Sequence, residues 1–117
     1  MPQAAERADH FDLLLQWQGA LLTWELPFQP LLEDSSTAAR RLPDHRLIYL
    51  DFSGPLSESR GHVQQVDSGL LNWLAPPEAQ ADAWTAVLTQ STARWWLRMT
   101  APASKGSDWV VEWRLLR

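Results

Sequence analysis

The chain has no cysteine among its 117 residues, which excludes disulfides and thiolate metal sites. No apolar run is long enough to cross a bilayer, so no membrane contact is expected. The opening "MPQAAERAD" lacks a basic segment followed by an apolar one, so no signal peptide is expected and a cytoplasmic location fits. A basic surplus is also missing: the formal net charge is -4, against the positive balance by which most nucleic-acid-binding proteins grip many phosphates. Lysine is nearly absent, Lys105 standing alone beside nine arginines. Arginine suits bidentate phosphate contacts, so a local basic patch is compatible with this composition and a long nucleic-acid groove is not expected. There is no Gly-x-Ser-x-Gly elbow, no glycine-rich phosphate loop and no internal repeat.

What the chain has in quantity is tryptophan, eight residues of it. Each buries a large area, so a core can be built from few positions. Length and composition fit one soluble globular domain, with residues 1–8 a flexible N-terminus and 9–117 the folded part.

Period-two alternation dominates the pattern. In "HFDLLLQW", residues 10–17, Phe11, Leu13, Leu15 and Trp17 share an apolar face, and His10, Asp12, Leu14 and Gln16 share the other. "QG" at 18–19 supplies a turn and "ALLTWEL" at 20–26 a second strand, together a hairpin. Residues 27–44, with Pro27, Pro30, Pro43 and a Ser-Ser-Thr cluster, read as a long loop with one helical turn near Thr37–Leu42. Further strands are expected at 46–52, 62–66, 70–74, 93–100 and 109–117. In "APPEAQADAWTAVLTQ", Pro77 suits a first helical position and Trp84, Val87 and Leu88 fall on one helical face, which predicts a helix at roughly 78–89. The expected fold is mainly β: a small closed or partly open antiparallel β-barrel with one or two short helices.

Two polar constellations carry potential chemistry. His10 and Asp12, two apart on a strand, point the same way and can share one cation, the imidazole and carboxylate suiting Mn2+, Zn2+ or Fe2+. Two ligands hold a metal poorly, so a third must come from elsewhere; the plainer reading is two polar residues on the wet side of a hairpin. His45 and Tyr49 in "DHRLIYLDFSG" share a face and could bind a phosphate or donate a proton. The plainer reading there is a solvent-facing histidine and a half-buried tyrosine. His62 starts another strand and faces either the same cavity or water. The Trp95–Trp96 pair puts one indole on each side of a strand, at least one of them in the core; a stacking platform for a base is conceivable, and core packing is the plainer reading.

In this order, these pieces resemble the 3'-phosphoesterase domain of bacterial DNA ligase D. That family opens with His-Tyr-Asp-x-Arg-x-Glu, a turn with Gly, then Ser-Trp-Ala-x-Pro-Lys-Gly-Pro; here the text is "HFDLLLQWQG" and "LLTWELPFQP". Asp-His-Pro-x-x-Tyr-x-x-Phe-Glu-Gly is matched by "DHRLIYLDFSG", Gly-x-Val-x-x-Trp-Asp-x-Gly by "GHVQQVDSG", and the closing Trp-x-Leu-Val-Arg by "WRLLR". The resemblance implies a compact β-barrel with its site in a basin on one side, a manganese ion held by two histidines and an aspartate, and trimming of ribonucleotides and phosphates from 3' ends of primer strands in break repair. Carried over by position, His10 and Asp12 match metal ligands, His45 the histidine on the scissile phosphate and Tyr49 the nearby tyrosine. His62 is the candidate third ligand.

The departures from the pattern are substantial. The family's other metal histidine falls at Ala4, its essential arginine at Leu14, the following glutamate at Gln16, and the lysine and glycine after the strand-ending proline at Phe28 and Gln29. A second phosphate-binding arginine falls near Thr37, with Arg40 and Arg41 the nearest substitutes. In-line attack on a phosphodiester builds negative charge that a cation and arginines must meet. The expectation is therefore a divergent phosphoesterase-like domain with a degenerate site and weakened or lost metal-dependent activity, its partner a nucleic-acid 3' end or a DNA-repair protein. The alternatives are a non-catalytic barrel kept as an interaction module, and a small barrel of unrelated function.

Overall fold

The computed structural model describes residues 10–46, 69–77, 82–104 and 106–117, together with the backbone of 54–55 and 62–63. The strands are β1 (Phe11–Trp17), β2 (Ala20–Leu26), β3 (Ser35–Arg46), β4 (Gly54–Pro55), β5 (His62–Val63), β6 (Leu70–Ala75), β7 (Ala83–Thr89), β8 (Arg94–Thr100) and β9 (Trp109–Leu116). Seven form one antiparallel sheet in the order β1-β2-β3-β9-β8-β7-β6, while β4 and β5 pair separately.

The alternation of "HFDLLLQW" does what its period requires. Leu13 and Leu15 are buried and Phe11 and Trp17 pack on the core, while Asp12 and Gln16 are exposed. Gln18 and Gly19 both have positive φ, 48° and 83°. That is the geometry of a two-residue hairpin turn whose twist matches the strands, and it pairs Trp17 with Ala20 and Asp12 with Glu25.

The sheet curls into a half-barrel. The two outermost strands meet through side chains: the Trp73 indole N–H donates to the Gln16 carbonyl at 2.9 Å, and the Trp17 and Trp73 rings lie edge to face at 5.8 Å. At the centre, Trp24 is fully buried and packs against Trp84 and Trp109 at 6.0 and 5.6 Å, and those two rings lie 4.9 Å apart. Leu26, Leu97, Met99, Val111 and Trp113 extend this core along the concave side. The loop at 27–34 is pinned to β9, because Trp113 donates to the Glu33 carbonyl and the Leu115 N–H to the Asp34 carboxylate.

Three expectations need correction. The predicted helix at 78–89 is β7 over Ala83–Thr89. Its Trp84, Ala86 and Leu88 fit the inward face of a strand, and hydrogen-bonded neighbours on both sides, β6 and β8, override the helical spacing. The helical turn near Thr37–Leu42 is part of β3, a 12-residue strand whose residues 35–39 pair with β9 and whose residues 40–46 pair with β2, so the loop expected at 27–44 ends at Asp34. No helix occurs among the described residues, and none there is long and apolar enough to cross a membrane. The strand expected at 46–52 lies outside the described residues beyond Arg46, as does the 62–66 strand beyond Val63.

Gly69 marks a close approach between the chain entering β6 and the end of β7. A Cβ there would run into the Thr89 carbonyl group. Gly69→Ala should therefore lower stability by about 1–3 kcal/mol, as overpacking generally does. Urea unfolding followed by tryptophan fluorescence would read this as a lower midpoint; an unchanged midpoint would contradict it.

Candidate functional site

The site face is the side of β1, β2 and β3 turned away from the tryptophan core. Hairpin register sets its composition. Asp12 lies opposite Glu25, which lies opposite Arg40; Leu14 lies opposite Thr23; Gln16 lies opposite Leu21, which lies opposite His45. Leu21 and Thr23 are fully buried on this face, so β2 is covered on both sides here.

His45 reaches the face through a bulge. Thr23 pairs with Leu42 but Leu21 pairs with His45, so β3 carries one extra residue at Pro43–Asp44. Proline has no N–H for the ladder and is tolerated in a strand at such an irregularity. The extra residue reverses the alternation and turns His45 onto the face of Arg40 and Thr23. The Thr23 hydroxyl donates to the Leu21 carbonyl at 3.1 Å. Its oxygen is then the acceptor for the His45 Nδ1–H at 2.9 Å, with the Pro43 carbonyl a second acceptor at 3.2 Å. That arrangement assigns the proton of the neutral ring to Nδ1.

Further along, four charged or ionisable groups meet. His10 Nε2 lies 3.3 Å from Glu25 Oε2 and 3.6 Å from Asp12 Oδ1. The other Glu25 oxygen accepts from Arg40, at 2.9 Å from Nε and 2.8 Å from the terminal nitrogen. Two carboxylates directly opposite one another on paired strands repel; here an imidazole and a guanidinium stand against them. Arg40 is largely exposed while Glu25 is 18% exposed, so the carboxylate sits beneath its cation.

The candidate residues thus divide. His10 and Asp12 are brought together, and His45 lies on the same face, beyond Thr23 and Leu14. Tyr49 and the side chain of His62 lie outside the described residues. Glu25 and Thr23 were not singled out from the sequence. The signal for Glu25 was available: a two-residue turn at Gln18–Gly19 fixes the register, and that register places Glu25 opposite Asp12. Imidazole and carboxylates are a suitable donor set for Mn2+ or Zn2+. Yet among the described residues no three histidines, aspartates or glutamates are arranged to hold a metal ion.

An antiparallel half-barrel carrying imidazoles and carboxylates on the wall opposite its core defines a small β domain with a polar site on one side. Residues 3–107 match the family described as DNA Ligase D 3'-phosphoesterase domain, and the chain belongs to that family. No curated protein shows a significant match to the chain.

Proposed function

We propose that this chain is a divergent 3'-phosphoesterase domain tied to processing of nucleic-acid 3' ends in DNA repair, with its metal-dependent cleavage weakened or lost. One observation carries the reading: the Glu25 carboxylate lies between His10 and Arg40, on the groups that would otherwise meet a metal or a phosphate. The family pattern has alanine at this position. A carboxylate there adds a second negative charge beside Asp12 and faces any incoming phosphate. Leu14, where the pattern has arginine, leaves no cation between His10 and His45 on β1.

In this reading a divalent ion, Mn2+ above all, would take His10 and Asp12 as ligands and need a third donor such as His62. His45 would contact the phosphate, with Tyr49 beside it. Losing one preorganised donor to a developing oxyanion typically costs ~10²–10³ in rate. Purified protein should therefore remove a 3'-phosphate from a primer–template very slowly, if at all, across Mn2+, Co2+ and Zn2+. Rapid multiple turnover that disappears in His10→Ala would overturn the proposal. A second reading, a non-catalytic module that docks a repair protein, is favoured by Leu70 and Leu74. They stand 75% and 59% exposed on the outermost strand β6.

A further inference from the structure

Two sequence features remain unused by the site above: the excess of arginine and the second indole of the Trp95–Trp96 pair. They meet in the fold. Trp95 is buried in the core, so Trp96 emerges on the opposite side of β8. Arg94 and Arg98, each two residues away, emerge beside it. Across β9, Arg114 lies directly opposite Trp96 and Glu112 opposite Arg98. Across β7, Val87 lies opposite Trp96, with Thr85 and Thr89 opposite the two arginines.

The arginines stay exposed, with a single carboxylate serving two of them. The Arg98 guanidinium lies over the Trp96 ring, 5.5 Å from its centroid. Arg98 and Arg114 share the Glu112 carboxylate at 2.6 and 2.7 Å. Glu112 is 13% exposed, whereas Arg98 and Arg114 are 47% and 62% exposed. Desolvation pushes the Glu112 carboxyl up, but the two guanidiniums outweigh it and hold the group below its ordinary range. The carboxylate thus acts as a strut beneath two cations, each with further N–H donors that its two oxygens do not occupy. At the β9 edge of this region, the Asp34 carboxylate is committed to the Leu115 N–H.

We infer that this face is a binding surface for a single-stranded nucleic acid. A base stacks on the Trp96–Arg98 pile, and flanking phosphates are taken by Arg114 and Arg94. Indole and guanidinium planes both stack on bases whatever the sequence. Arg114 lies opposite Trp96, two residues along from Arg94, so the two phosphate-taking arginines are offset by roughly 7 Å along the strands and track a backbone rather than gather on one phosphate. Three guanidiniums against one covered carboxylate make a cationic island on a chain whose formal net charge is -4. The surface lies on β7, β8 and β9, and binding there does not depend on whether the site on β1–β3 cleaves anything.

The test is fluorescence anisotropy with a labelled single-stranded oligodeoxynucleotide ending in a 3'-hydroxyl, in chelator, so that neither metal nor 3'-phosphate contributes. Wild-type protein should bind weakly, with log K falling against log salt at a slope of roughly -1.4, the value for two neutralised phosphates on a single strand. The double variant Arg94→Gln/Arg114→Gln, a change of exposed residues only, should flatten that slope. Trp96→Leu should weaken binding about tenfold. Absence of salt-dependent binding, equal affinity for a blunt duplex, or binding that both surface variants retain would each overturn the inference. A failed cleavage assay would not bear on it.

Discussion

Trp24→Ala should lower the stability of this domain by about 3–5 kcal/mol, the range for emptying a buried aromatic position. Domains of this size unfold with about 5–15 kcal/mol, so the change removes a large share of what holds the fold. Trp24 is fully buried and edge-packed on both Trp84 and Trp109, so its loss leaves two indoles facing a void. The Arg41 guanidinium lies 5.1 Å from its ring, which ties the same indole to the strand that carries Arg40 and His45. Thermal unfolding followed by circular dichroism should show a midpoint lower by roughly 15 °C. Trp24→Phe should cost markedly less, because it keeps a ring in place and the Trp24 indole N–H has no hydrogen-bond partner among the described residues to lose. Equal losses for the two variants would show that packing is not what the ring contributes.

The second large effect is expected at Glu25. Its carboxylate stands where an approaching 3'-phosphate would seek His10 and Arg40. Two unit charges about 6 Å apart at an effective dielectric near 20 repel by ~3 kcal/mol. Partial exposure of the site reduces that figure. Glu25→Ala should thus bind a 3'-phosphorylated strand ~10–100-fold more tightly than wild type, an advantage that added salt erodes. Affinity for the same strand ending in a 3'-hydroxyl should change much less. Adding Leu14→Arg supplies a guanidinium on the same face, opposite Thr23, and should raise metal-dependent phosphate release by on the order of 10² over Glu25→Ala alone. If Glu25→Ala discriminates between the two strand ends no better than wild type, the carboxylate is not what keeps the site from phosphate.

How much of this could be read in advance depends on where each residue's structure is decided. The β1–β2 hairpin was legible because its determinants are local: strict alternation on either side of Gln18–Gly19, whose positive φ values need a turn-permissive pair. β3 was not. "SSTAARRLPDHR" has small residues, a proline and little alternation, the marks of a loop. It is a strand because β9 pairs with its first half, Ser35–Ala39, and β2 with its second, Arg40–Arg46, and nothing within the segment announces those partners. β7 was misread for a related reason. Trp84, Val87 and Leu88 fit a helical stripe as well as Trp84, Ala86 and Leu88 fit a strand, and only the neighbouring strands decide between them.

The site was half legible on the same grounds. His10 and Asp12 follow from period two, and Glu25 follows from the turn. His45 lies on the shared face only because one extra residue at Pro43–Asp44 reverses the alternation. Counting in twos along β3 from Arg40 would have turned it inward. The kinship with the DNA ligase D 3'-phosphoesterase domain came from ordered motifs spread over the whole chain, which is why it survives the mistaken helices.

The bond from the Trp73 indole to the Gln16 carbonyl has a consequence for solubility. Open sheets end in rows of unsatisfied amides that recruit strands from other molecules, a common route to aggregation. Here the first and last strands of the sheet shield one another through two edge-to-face indoles and one hydrogen bond instead of a full ladder. The seam is held by few contacts, and Trp73→Ala would uncover both margins at once and favour edge-to-edge association.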